Sequence, residues 1–127
     1  MKRTSVKIVL FALAVGYTVF VAIASLIEPK TIQGLGFNHA DKLVHFLVYF
    51  VMMSLWFMPL NTVSKNKMYK VGGLLFLFSF LIELAQHFFT ERRIFEWFDL
   101  VANGFGIVIG VNFMRFLRNF SGSLKSF

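Results

Sequence analysis

An uncharged stretch of 20 residues, 8–27, constrains this chain more than any other feature of its sequence. A helix rises 1.5 Å per residue, so 20 residues span about 30 Å, the thickness of the hydrocarbon core of a bilayer. Three further apolar stretches follow at 43–60, 71–89 and 98–117. We therefore predict an all-α, polytopic integral membrane protein with four transmembrane helices.

The composition agrees with this prediction. Hydrophobic residues make up 57% of the 127 residues and charged residues only 15%, well below the quarter that is usual in soluble domains. This balance excludes an ordinary soluble protein and a disordered chain. The absence of cysteine excludes a disulfide-stapled module and thiol chemistry. Once the spans are subtracted, too little chain is left for a second core, so residues 1–127 are predicted to form one membrane domain.

The basic residues predict the orientation of the chain. Nine of the 13 Lys and Arg residues fall on one side of the predicted spans, at Lys2, Arg3, Lys7, Lys65, Lys67, Lys70, Arg115, Arg118 and Lys125. The other side has four, at Lys30, Lys42, Arg92 and Arg93. Because basic residues concentrate on cytoplasmic loops, both termini are predicted to be cytoplasmic. No basic stripe is interleaved with aromatic residues, so no nucleic-acid partner is predicted.

The first apolar stretch has a second interpretation. Lys2-Arg3, the apolar run and Ala22-Ile23-Ala24 resemble a signal peptide with its cleavage site. The run is longer than a usual signal core, which favours a retained helix. Cleavage would leave three helices and the same orientation for the rest.

Polar residues inside the predicted spans need an explanation, because a charged side chain at the bilayer centre costs about 2.5–3.5 kcal/mol. On helix 2, Asp41, His45 and Tyr49 follow one another at four-residue intervals and share one face. On helix 3, Glu83 lies about 9 Å below the outer boundary, and Gln86 follows it.

On helix 4, Asn103 follows Asp99 at the same four-residue interval. Three helices thus place their polar groups at one depth near the outer leaflet. We predict one shared pocket that opens outward and brings His45, Glu83 and Asn103 together. Asp41 and Asp99 are also candidate helix N-caps.

Small residues line one side of helix 4, where Ala102, Gly106 and Gly110 are spaced by four. Such a face allows helix backbones to approach closely in lipid. We therefore predict that Gly106 and Gly110 pack against helix 2 or helix 3.

These motifs resemble those of a known family. Asp41-Lys42-x-x-His45-Phe46-x-x-Tyr49 is similar to the helix 2 signature of VanZ-like membrane proteins. The later motif Glu83-x-x-Gln86, an Arg, then Asp99-x-x-x-Asn103-x-x-Gly106-x-x-x-Gly110 resembles the rest of that signature. Two residues compete for the arginine position. Arg93 fits by its spacing to Asp99, and Arg92 fits by its spacing from Gln86.

The resemblance implies a small multi-pass protein of the bacterial inner membrane and cell envelope. The family is named for a protein associated with teicoplanin resistance, which implies a role in susceptibility to glycopeptide antibiotics. It implies no particular biochemical activity, so the mechanism has to come from the residues.

Three functions are open at this point. The first is binding of a membrane lipid headgroup or a lipid-linked envelope precursor, with phosphate contacted by Lys42 and Arg93 or Arg92. The predicted ligand-binding residues are Asp41, Lys42, His45, Tyr49, Glu83, Gln86, Arg93, Asp99 and Asn103.

The second function is a membrane enzyme that acts on a lipid-linked substrate. Its candidate catalytic groups are Glu83, His45, Asp99 and Asp41, which suffice for acid–base chemistry or one divalent metal. No HExxH motif and no nucleophilic serine motif is present, so no metal ligand is assigned and the cofactor is left open. The third function is a transporter subunit. Four helices are few for a transporter, although a homo-oligomer is left open as a way to form a pore.

Overall fold

A computed structural model describes residues 2–27, 38–60, 65–89 and 96–125, with side chains described for 2–27, 41–60, 65–89 and 96–121. All regular structure in these ranges is helical, which confirms the all-α prediction. The four helices are α1 (Lys2–Leu26), α2 (Asn38–Phe57), α3 (Lys65–Phe89) and α4 (Trp97–Lys125).

The helix ends differ from the apolar stretches for local reasons. α1 and α3 begin several residues before the stretches at 8–27 and 71–89, since a helix continues into polar residues when nothing interrupts it. α2 ends at Phe57, three residues before the predicted end of its span. Pro59 disfavours helical backbone in the residue before it. A turn follows, in which the Leu60 amide donates to the Phe57 carbonyl at 3.1 Å.

Three of the helices, α1, α3 and residues 97–121 of α4, are long and apolar enough to cross a membrane. Large apolar side chains cover the outside of the bundle, as Leu74 and Phe105 do with 66% and 60% exposure. Such a surface suits lipid and not water. The chain is therefore a multi-pass membrane protein. The crossing of α2 and the cytoplasmic location of both termini stay predictions.

The helices run alternately up and down. α2 and α4 are parallel, because Lys42 pairs with Asp99 at one end and Met53 lies against Gly110 further along both helices. α1 is antiparallel to α2, and α3 is antiparallel to α4. As a result, the ends of α1 and α3 meet the beginnings of α2 and α4, at what we call the cavity end of the bundle.

The contact between α2 and α4 is the most extensive in the bundle. A Cβ atom added to Gly106 would overlap the Phe46 carbonyl oxygen and lie 3.0 Å from the Phe50 nitrogen. One added to Gly110 would lie 3.0 Å from the Cβ of Met53. Both glycines thus let the two backbones approach directly, and this close seam fixes which side chains of α2 and α4 meet at the cavity end.

The half of the bundle away from the cavity end has an apolar core. Met52, Met53, Phe57 and Met68 are at most 2% exposed there. α1 packs against this half of α2, where the Trp56 indole donates a hydrogen bond of 3.0 Å to the hydroxyl of Thr18 on α1. These four apolar side chains therefore lie on the far side of the bundle from the polar cavity end.

Candidate functional site

A cavity of about 250 Å³ lies at the cavity end. Every helix of the bundle contributes to its wall. Its polar lining residues in the described ranges are Tyr17, Ser25, Asp41, His45, Tyr49, Ser79, Glu83, Gln86 and Asn103. Its apolar lining residues include Phe20, Val21, Val44, Val48 and Ile82. The cavity thus combines hydrogen-bonding groups with aliphatic surface, as sites for amphipathic ligands do.

His45 has neighbours on both helices of the α2–α4 seam. Its Nδ1 lies 3.2 Å from Oδ1 of Asn103, which is 2% exposed. Its Nε2 lies 3.7 Å from Oδ1 of Asp41 and 3.6 Å from Oδ2 of Asp99. Asp41 is one turn before His45 on α2, whereas Asp99 and Asn103 come from the first turns of α4. The seam therefore places the imidazole between two carboxylates.

Lys42 joins α2 to the beginning of α4. Its ammonium group donates to Oδ1 of Asp99 at 2.6 Å and also to the carboxylate of Glu96. The Asp99 side chain is only 6% exposed, and a buried carboxylate needs such a partner. Both contacts engage the charge of Lys42, and Lys42 is not among the described residues that line the cavity.

Glu83 meets the beginning of α4 from the opposite side. It is 3% exposed, and its Oε1 accepts a hydrogen bond of 3.2 Å from the Glu96 backbone amide. The Glu96 carbonyl in turn accepts from the Leu100 amide at 3.4 Å, so Glu96 is the N-cap residue of α4. A carboxylate at a helix N-terminus is stabilised by the helix dipole. This contact explains how a buried glutamate is accommodated within an apolar helix.

Gln86 and Tyr49 complete the polar wall. The Gln86 amide donates to the Ser25 carbonyl at 2.8 Å. This carbonyl belongs to the last turn of α1, where backbone acceptors lack partners within the helix. Tyr49 is 3% exposed and lies between the cavity and the apolar core. Gln86 therefore joins α3 to the end of α1, and Tyr49 closes the cavity toward the core.

The predicted site residues fall into three groups. Asp41, His45, Tyr49, Glu83, Gln86 and Asn103 line one cavity. Lys42 and Asp99 form the ion pair beside it. Arg92 and Arg93 lie outside the described residues. Whether Glu83 pairs with Arg93 is therefore not described either.

Sequence reasoning missed several contributors to the site. Tyr17, Ser25 and Ser79 line the cavity, and Tyr17 interrupts the first apolar stretch, which was the available signal. Its hydroxyl donates to the Val48 carbonyl at 2.9 Å. Glu96 is not among the site residues predicted from the sequence, yet it pairs with Lys42. Its position three residues before Asp99 was the signal for a second acidic group at the start of α4.

The cluster of Asp41, His45 and Asp99 has the donor types of a metal site. Each residue offers one ligand atom, and the three atoms lie within 4.8 Å of one another. An imidazole beside carboxylates is also able to transfer protons. The geometry therefore permits binding alone, metal binding or acid–base chemistry.

Comparison with known proteins places the chain in one protein family. The model of the VanZ/LLP1 family matches residues 2–118, which covers all four predicted apolar stretches. No curated protein and no solved structure matches the chain. The family match confirms the resemblance seen in the motifs of α2, α3 and α4. This chain is a multi-pass membrane protein that belongs to the VanZ/LLP1 family.

Proposed function

We propose that this protein binds the headgroup of a membrane lipid or of a lipid-linked envelope precursor in its four-helix cavity. One observation carries the proposal: polar side chains from every helix converge on one cavity inside a bundle whose outer surface is apolar. Polar groups inside a membrane bundle are expensive and mark functional sites by default. A headgroup is the polar ligand that the surrounding bilayer supplies.

The charges of the wall indicate which groups the ligand presents. Asp41 and Glu83 contribute carboxylates, and Lys42 is engaged by Asp99 and Glu96. The described wall therefore suits hydrogen-bond donors of the ligand, namely hydroxyl, amide or ammonium groups. The predicted phosphate contact with an arginine concerns Arg92 or Arg93, outside the described residues.

The apolar part of the wall suits the first carbons of a lipid chain. Val44 and Phe20 are exposed and Ile82 is half-buried, and all three line the cavity beside the polar groups. A ligand with its headgroup at Asn103 and its chain toward bulk lipid meets both kinds of surface. This arrangement favours a lipid over a soluble metabolite.

The proposal includes a location. α2 is antiparallel to α1 and packs along α4, so a bilayer crossed by those helices is crossed by α2 as well. With both termini in the cytoplasm, the cavity end faces outward from the bacterial cytoplasmic membrane, where envelope precursors are used. α1 supplies Tyr17 and Ser25 to the wall, which favours its retention over cleavage. A role in glycopeptide susceptibility belongs to this proposal.

The test is native mass spectrometry of the full chain in nanodiscs of phosphatidylcholine. Phosphatidylethanolamine, phosphatidylglycerol and an undecaprenyl pyrophosphate-linked amino sugar are added in separate arms. We expect one molecule of one of these probes to be retained per chain. Tyr49→Phe and Asn103→Leu should each weaken retention about tenfold, because each removes a buried hydrogen-bonding group.

The matched controls are the same two types of substitution at positions outside the cavity. Tyr69→Phe and Asn112→Leu make the same chemical changes at exposed positions and should leave retention unchanged. Equal retention by all four variants, or no retention of any probe, contradicts the proposal.

A membrane enzyme is the second candidate, and the position of His45 between two carboxylates favours it. Catalysis predicts a chemical change in the retained probe that His45→Gln abolishes while retention persists. Mass spectrometry of the recovered lipid measures this change. The described apolar core of Met52, Met53, Phe57 and Met68 offers no polar path through the bundle, so transport is not favoured.

A further inference from the structure

The orientation of His45 is set by Asn103. The amide oxygen of Asn103 only accepts hydrogen bonds, so its contact of 3.2 Å with Nδ1 favours the tautomer of His45 that has its hydrogen on Nδ1. In a neutral imidazole the other nitrogen, Nε2, then has its lone pair free to coordinate. A partner that holds one ring nitrogen in this way is typical of histidines that bind metal through the other nitrogen.

The Nε2 lone pair faces two oxygens and no donor that the described residues supply. The Asp41 oxygen at 3.7 Å and the Asp99 oxygen at 3.6 Å lie beyond hydrogen-bond distance. In the neutral imidazole, Nε2 and the two carboxylate oxygens are three electron-rich atoms that converge at one point, where one cation would contact all three. In a tetrahedral Zn²⁺ site the ligand atoms lie about 3.3 Å apart, so small side-chain rotations bring these three atoms to coordination distance.

The charges around this point favour a divalent cation. With His45 neutral, the carboxylates of Asp41, Asp99 and Glu96 carry three negative charges and Lys42 carries one positive charge. Lys42 bonds to Oδ1 of Asp99, which leaves Oδ2 of Asp99 directed at His45. A net charge of minus two therefore remains at the described cluster, and one divalent ion neutralises it.

We propose that Asp41, His45 and Asp99 bind one divalent transition-metal ion of the Zn²⁺ type, with Asn103 as the residue that orients the imidazole. Mixed imidazole and carboxylate donors suit this class of ion better than Mg²⁺ or Ca²⁺, which prefer oxygen ligands alone. Asp41 and His45 also line the cavity, so a fourth coordination position is open on that side. The proposal concerns the metal alone and does not depend on the headgroup proposal.

The experiment uses the full chain, purified in detergent through a tag without histidine and treated with a chelator. Zn²⁺ alone is titrated calorimetrically, and Co²⁺ is added separately to read the coordination geometry from its visible absorption. We expect one Zn²⁺ per chain and a tetrahedral Co²⁺ spectrum. Asp41→Asn and His45→Gln should each weaken Zn²⁺ binding by at least about tenfold, and Asn103→Ala should weaken it by about 10–100-fold.

The controls separate this site from adventitious binding and from misfolding. His87→Gln removes an exposed histidine near the end of α3 and should leave Zn²⁺ binding unchanged. Asp41 is the safest ligand to replace, because its side chain is 35% exposed; circular dichroism checks that each variant stays helical. A helical chain that binds no Zn²⁺, or that binds it equally well after Asp41→Asn, overturns the proposal. Lipid retention is measured separately, so failure of either proposal leaves the other standing on its own data.

Discussion

Replacing Gly106 with alanine tests whether the direct contact of α2 with α4 holds the bundle and its site together. The added Cβ would overlap the Phe46 carbonyl oxygen and lie 3.0 Å from the Phe50 nitrogen. Both neighbours are backbone atoms, so they move away only if α2 moves as a unit. Asn103 lies one turn before Gly106, and its Oδ1 is 3.2 Å from Nδ1 of His45. A movement of α2 therefore also draws His45 away from Asn103.

The size of the effect follows from two opposing contributions. Overpacking costs about 1–3 kcal/mol or more, and a clash with backbone places this variant at the upper end. Alanine regains about 1 kcal/mol of helix propensity. We therefore expect Gly106→Ala to lower the free energy of unfolding by about 2 kcal/mol. Gly110→Ala should cost less, because its nearest atoms, the Met53 Cβ at 3.0 Å and the Phe50 carbonyl oxygen at 3.2 Å, leave more room than the overlap at Gly106.

The matched control is Gly73→Ala on α3, where an added Cβ meets nothing within 4 Å. The assay is unfolding in mixed micelles of mild detergent and dodecyl sulfate, followed by circular dichroism and by the fluorescence of the two tryptophans, Trp56 and Trp97. We expect Gly73→Ala to unfold at the same or a higher dodecyl sulfate fraction than the parent chain. If the Gly106→Ala variant is as stable as the Gly73→Ala variant, α2 and α4 do not pack in direct backbone contact at Gly106.

Three further predictions concern charge and topology. A reporter fused to the carboxyl terminus should report a cytoplasmic location, because basic residues concentrate on that side; activity of a reporter that requires export would contradict it. Lys42→Met should destabilise the chain by about 2–3 kcal/mol, since it leaves Asp99 buried without its partner, whereas Lys70→Met at an exposed position should not; equal unfolding curves would count against the pair. Glu83→Gln keeps an oxygen that accepts the Glu96 amide and should cost less than about 1 kcal/mol, whereas Glu83→Leu should cost about 1–3 kcal/mol; equal losses in the two variants would contradict this capping role.

Sequence reasoning reached the helices and the residue types of the site for a simple reason. The apolar length that a bilayer requires is a property of consecutive residues, so the stretches at 8–27 and 71–89 predict α1 and α3 without any tertiary information. Helix periodicity likewise relates Asp41 to His45 on one face. The end of α2 at Phe57 was missed, although Pro59 carried the signal.

Partner choice was beyond the reach of the sequence. Lys42 reads as a phosphate-binding residue, but the fold gives its ammonium group to Asp99 and Glu96. Glu83 reads as an acid in need of a polar partner, and the fold places its carboxylate against the backbone amide of Glu96, the N-cap residue of α4.

The sequence by itself determined that this chain is a helical membrane protein, because membrane insertion depends on the hydrophobicity of each segment taken alone. It also determined the family, because the motifs are read along the chain. Only the tertiary structure decided that His45 lies between Asp41 and Asp99. That meeting depends on how far α4 is rotated and shifted along α2. The backbone contact at Gly106 sets both, and no pattern within a single helix contains that information.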